Sequence, residues 1–205
     1  MKRITRKRAA SRSRTSAASQ SGPVRASEAA RGRVRVAPEF LVYMKKIDRF
    51  RADREPIALM RTGPRKIARA VAGLNSAQLR RRPAPGKWSI AEILGHLVDT
   101  EVVYGYRYRM ALSQPGMPIQ AYDQDSWAEA LRHRRRSARR SLAQIQFLRA
   151  VNLDLLTSVP RSDWKRYGWH SERGKETVRR TVELIAGHDL NHLGQILAIR
   201  EKYGW

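Results

Sequence analysis

TVRRTVELIAGHDLNHLGQILAIR, residues 177–200, decides the fold. Val182, Ile185, His192, Ile196 and Ile199 recur in three- and four-residue steps, the spacing of one face of an α-helix. His188 and His192 stand four residues apart in the same stretch, so both imidazoles share a face and can reach one ion. His192 is expected to face the core, with His188 one turn earlier at its edge.

A third histidine, His96, occurs in SIAEILGHLVDTEVVYGYRYRMAL (residues 89–112), another periodic segment, beside Ile93, Leu97 and Val103. Any one of the three alone would be read as a core histidine satisfied by a carboxylate or carbonyl. Three facing inward, two of them at ligand spacing, point to a divalent metal. Three neutral imidazoles leave a tetrahedral ion one open position, the arrangement of a catalytic site rather than a structural one.

Working outward, PIALMRTGPRKIARAVAGL (residues 56–74) reads as a first helix, interrupted near Gly63 and Pro64 because proline breaks a helix interior. NSAQLRRRPAPGKW (75–88) reads as a loop, and the SxxE pattern of Ser89 and Glu92 starts a second helix that runs to about Ser113. QPGMPIQAYDQDSW (114–127) is rich in turn residues, and Asp125 or Ser126 caps the next helical stretch, which continues with a break to Val159. PRSDWKRYGWHSERGKE (160–176) is a second irregular loop, and Gly204 closes the last helix. No alternating strand pattern of useful length appears. Four long helical segments with intermediate connections predict an all-α fold, a helix bundle whose facing side chains build the metal site.

The 205 residues suffice for one core, and periodic apolar segments begin only after about residue 55. The expected organisation is a disordered Arg-, Ser- and Ala-rich tail over residues 1–43 and a bundle domain over 55–205. The tail reads as a nucleic-acid arm, an organellar targeting segment, or sequence upstream of a true start at Met44, the last two together ahead of the first. No run is long and apolar enough for a membrane span and no secretory leader is recognisable, so a soluble, cytoplasmic protein without membrane partners is expected. Without cysteine there is no disulfide, thiolate ligand or cysteine nucleophile, and thiol chemistry would need a thiol brought in from outside. The net charge is +24, and residues 1–37 hold 11 lysines and arginines against one acid, Glu28. A GC-rich coding bias toward Arg and Ala accounts for charge of this kind without a partner, which discounts nucleic-acid binding.

GKWSIAEILGHLVDTE (86–101) and TVRRTVELIAGHDLNHLGQILAIR resemble the first and last motifs of the DinB-like (DNA-damage-inducible) superfamily of helical metalloproteins. YDQDSW (122–127), FLRAVNLDLL (147–156) and WHSERG (169–174) match the pattern between, so the likeness covers roughly Ile57 to Tyr203. The resemblance implies a four-helix bundle with a divalent ion, commonly zinc or nickel, held by His96, His188 and His192. It also implies relatives that are thiol S-transferases using a low-molecular-weight thiol, or maleylpyruvate isomerases.

An ion with an open position can lower the pKa of a small thiol and present it to an electrophile, or hold water for hydrolysis. Thiol transfer to a small-molecule substrate is the first expectation and metal-dependent hydrolysis the alternative; a homodimer is compatible with either. Asp99, one turn from His96, and Asp189, next to His188, are candidates to orient an imidazole, as are Asn191 and Gln195. His170 in the loop motif is a candidate substrate or proton-transfer group at the mouth of the site. Arg107 and Arg109 extend their helix beyond the metal, where a cation could bind an anionic substrate carboxylate, but only one face of that helix points inward, so not all of its arginines and tyrosines can line a pocket. Trp88 is expected to anchor its loop by packing, with a place in the pocket wall as the alternative. LRHRRRSARRSL (131–142) is the best internal case for nucleic acid, the reading from a different class, in which the metal is structural or vestigial; without a reader motif it reads first as a solvated face, with His133 exposed.

Overall fold

The computed structural model describes Val36 and residues 38–205. Residues 1–35 and 37 of the expected 1–43 tail lie outside the described residues. In chain order the helices are α1 (Pro38–Arg51), α2 (Pro56–Val71), α3 (Ser76–Arg80), α4 (Ile90–Ser113), α5 (Gln124–Ala130), α6 (Ala138–Ser158) and α7 (Val178–Tyr203). The strands are β1 (Pro118–Ile119), β2 (Tyr167–His170) and β3 (Gly174–Thr177). Helix α2 packs on α6 and α7, and α4 packs on the same two, so the four long helices close a ring with α2 and α4 on its diagonal. The fold is an all-α four-helix bundle with a small sheet at one edge.

The ends of the helices follow local chemistry. Ser89 accepts from the Glu92 N–H while Glu92 accepts from the Ser89 N–H, which satisfies two amides that have no partner inside α4. Thr177 caps α7, and Gly204, at φ 66°, turns the chain back so that its N–H reaches the last carbonyls.

Two apolar clusters fill the ring. One holds Met60, Tyr108, Leu156, Val182 and Ile185, the other Ile67, Ile90, Leu94, Ile145 and Ile196. Each fully buried aliphatic side chain contributes about 2 kcal/mol. Between the clusters lies a polar layer: the His96–Glu101 turn of α4, Arg149 and Asn152 of α6, and the His188–His192 turn of α7.

Several local expectations change. Helix α2 runs unbroken through Pro64. Proline removes the N–H that would reach Met60, and Arg149 Nη1 donates to the freed Met60 carbonyl at 2.9 Å, so the interruption costs no unpaired group. The stretch 75–88 contains the short helix α3, held by an Asn75–Gln78 capping box. Asp123, rather than Asp125 or Ser126, caps α5. The 160–176 loop contains an antiparallel hairpin, β2 with β3, and β1 adds in parallel to β2. His133 is fully buried instead of exposed, because Gly95 leaves a niche for its ring: a Cβ at that position would stand 2.5 Å from His133 Cγ. Helix α1 begins at Pro38, inside the span expected to be tail. It packs on α7, where Ile47 is buried against Gly187 and Arg180 donates to Asp48 at 2.6 and 2.9 Å.

Candidate metal centre

Packing of α4 against α7 brings His96 to His188 and His192. His188 Nε2 lies 3.0 Å from His96 Nε2 and 3.1 Å from His192 Nε2, and the three candidate ligand atoms all fall within 4.8 Å of one another. A tetrahedral ion with bonds of about 2.0 Å sets its ligand nitrogens about 3.3 Å apart, so the two pairs that His188 makes need to open by only a few tenths of an ångström to admit one.

The protonation state suits ligation. Burial pushes His192 down to about 4, against smaller upward pulls from Gln195 and Asp189. Burial and the neighbouring imidazoles hold His96 and His188 well below the usual histidine range. All three are therefore neutral at pH 7 and carry lone pairs. His192 Nδ1 donates to Gln195 Oε1 at 2.8 Å, which places the proton on Nδ1 and leaves Nε2 to face its neighbours.

Two cavities flank the cluster. One of about 440 Å³ adjoins His192 and is lined by Trp88, Asn191, Gln195 and Lys202. The Trp88 ring centroid lies 4.9 Å from that of His96 and 6.2 Å from that of His192, stacked on the latter at 11°. The tryptophan is thus a wall of the centre and not only an anchor for its loop. The second cavity, about 360 Å³, is lined by His96, His188, Thr100, Arg107, Tyr122 and His170.

The other expected residues divide. His170, at the end of β2, is 1 % exposed and lines the second cavity. Asp99 does not reach His96: its Oδ2 lies 2.9 Å from His133 Nε2, close enough to pair but not aligned as a hydrogen bond. Asp189 accepts from Arg149 at 2.7 and 3.2 Å and acts on His192 only as a nearby charge. Asn191 lines the first cavity without bonding to an imidazole among the described residues. Arg107 is buried beside the second cavity, whereas Arg109 is exposed and spent on Gly105 O and Asn152 Oδ1. Thr100, whose hydroxyl lies 3.5 Å from His96 Nε2, escaped the sequence reading; it sits one turn after His96, where i,i+4 spacing puts it on the same face.

The family model of the DinB superfamily matches residues 59–196, a span that holds all three histidines. The chain belongs to the DinB superfamily. This DinB superfamily member is 27% identical over 142 residues to a protein named "Putative metal-dependent hydrolase" from Bacillus mycoides (strain KBAB4), covering 69% of this chain and 82% of the relative. It is 29% identical over 160 residues to a protein of the same designation from Geobacillus thermodenitrificans (strain NG80-2), covering 76% and 89%. Among solved structures it superposes on YfiT from Bacillus subtilis, described as "a probable metal-dependent hydrolase with an unusual four-helix bundle topology". The TM-score is 0.69 with 23% identity, over 78% of this chain and 89% of that one. That likeness gives the DinB chain its bundle topology.

Proposed function

We propose that this DinB superfamily chain is a divalent-metal-dependent hydrolase of a small molecule, with His96, His188 and His192 as the ligands. The observation that carries the reading is the convergence of three neutral imidazoles, those of His96 and His192 buried and that of His188 half-buried, between two cavities each large enough for a small substrate. The relatives named as metal-dependent hydrolases support it. When bound, the ion supplies a Lewis acid and an acidified water at neutral pH.

The chain's own residues do the rest. Gln195 orients His192, and Thr100 stands against His96. Trp88 stands against the opposite side of the cluster, next to His96 and His192. His170 Nδ1 accepts the Glu172 N–H at 3.1 Å, so the ring proton sits on Nε2. Burial and the cations of Arg173 and Arg107 push His170 down to about 3, which makes it a neutral hydrogen-bond donor to substrate at pH 7 rather than a proton shuttle.

Zinc and nickel both suit three imidazole nitrogens, and thiol transfer would use the same open position. The test strips the full chain with a chelator, refills it with zinc or nickel, and screens small esters and amides with and without added thiol. Turnover restored by metal in the absence of thiol is expected. Turnover that requires both a thiol and an electrophile would replace hydrolysis with transfer.

A further inference from the structure

Among the described residues two arginines are buried, Arg149 and Arg107, and Arg173, half-buried, lines the second cavity; Arg149 and Arg173 have carboxylates. Arg149 pairs with Glu101 and Asp189, and Arg173 pairs with Glu176 through two hydrogen bonds of 2.7 and 2.8 Å. Arg107 is the exception. It is 4 % exposed, and no carboxylate pairs with it among the described residues. Nη2 donates to the Gln120 carbonyl at 2.8 Å, and the guanidinium carbon lies 4.9 Å from the Tyr104 ring centroid. These contacts satisfy part of a guanidinium and none of its charge; a buried cation without a counter-charge is costly, and the cost is removed when an anion arrives.

A second unpaired donor belongs to a residue that lines the same cavity. With Nδ1 accepting from the Glu172 N–H, His170 Nε2 carries the proton, and that buried nitrogen has no partner among the described residues. A buried donor left unpaired inside a cavity is a place for a ligand acceptor. The acids lining this cavity are all exposed at its rim: Asp125, Glu172 and Asp123, the last already accepting from the Asp125 and Ser126 N–H groups and from the Ser126 hydroxyl. The lining of the cavity therefore offers positive charge and N–H donors beside His96 and His188.

We infer that this cavity is an oxyanion subsite: the substrate carries a carboxylate or phosphate held by the Arg107 guanidinium and the His170 Nε2–H, with its reacting group turned toward His96 and His188. The inference rests on the hydrolase reading for the direction in which the substrate lies, and not for the existence of the subsite. Tyr104 and Tyr122 give the cavity aromatic walls, which favours a flat or unsaturated body on the anion.

The test uses the full chain, stripped of metal, at physiological salt. Benzoate, phenyl phosphate and the neutral isostere benzamide are titrated calorimetrically into wild type, Arg107→Gln and Arg107→Lys. One of the two anions is expected to bind one per chain, with benzamide weaker by about tenfold or more, Arg107→Gln losing about tenfold and Arg107→Lys keeping part of the affinity. Which anion binds more tightly tells carboxylate from phosphate. In the same samples, the His170 Nε2–H resonance should move on adding the anion to wild type, a change that a purely structural arginine would not produce. Circular dichroism checks that each variant is folded, and Arg107→Lys carries the comparison if Arg107→Gln is not. Equal binding of benzoate and benzamide, no binding of either anion, or wild-type affinity in Arg107→Gln would each overturn the subsite. Because the chain is metal-free throughout, failure of the metal assignment leaves this result standing, and failure here leaves the metal assignment untouched.

Discussion

The hydrogen bond from His192 Nδ1 to Gln195 Oε1 decides which nitrogen of His192 faces the centre, so Gln195 is tested through the metal rather than through the fold. Gln195→Leu should weaken zinc binding by about 10–100-fold in competition with a chromogenic chelator, the range typical of partners that orient a ligating histidine; unchanged affinity would contradict the role. Buried histidines also give an acid response. His170 and His192 sit at about 3 and about 4, below their ordinary 6.5, so between those values the unfolded chain binds more protons than the folded one. Stability of the metal-free chain is therefore full above about pH 6.5 and falls as pH drops toward 4. Urea midpoints measured across that window check it, and His170→Gln should flatten the slope; a flat wild-type profile would show that the rings are not held neutral. The clustering of His96, His188 and His192 was legible because spacing and periodicity turn all three toward the bundle interior. Asp99 was misread because the niche above Gly95 draws His133 to it, and Arg107 was only half legible: one inward helix face was predictable, but not that Arg107 rather than Arg109 lies buried on it.

At the scale of elements, the polar layer between the two apolar clusters is held by Arg149, which donates to Glu101, Asp189 and the Met60 carbonyl that Pro64 leaves free. Gly63 makes room for this arrangement, since a Cβ there would stand 2.8 Å from Asp189 Oδ2. Arg149→Met leaves two buried carboxylates without their cation, and a loss of about 3–5 kcal/mol is expected by urea unfolding. A loss below about 1 kcal/mol would show the network to be no stronger than a surface pair. Gly63 and Pro64 read as a helix break in sequence because the compensating guanidinium comes from a helix some 85 residues away, which no local pattern contains. The caps at Ser89 and Gly204 were legible because their chemistry is complete within a few residues. The strands were not: four-residue runs are too short to show alternation, and β1 finds β2 about 50 residues later.

Across the whole molecule, four helices carry apolar clusters at both ends and place their histidines, arginine and acids in the layer between, where α4 and α7 supply the cluster and the hairpin of β2 and β3 supplies His170. The all-α bundle was readable from periodicity alone, but the side walls were not, because α1 and the hairpin reach the cavity only through long-range packing: Tyr43 of α1 lines both cavities. The Arg-rich run after residue 131 is likewise more than a solvated face, since it delivers His133 into the bundle. The central claim is that His96, His188 and His192 hold one ion together, and elemental analysis of the full chain tests it most directly, after purification without an affinity tag and reconstitution with zinc or nickel. One ion per folded chain in wild type, lost in His96→Ala, His188→Ala and His192→Ala alike while their helical circular dichroism persists, is the result predicted. Full occupancy in any of the three variants, or no metal in wild type after reconstitution, would contradict it.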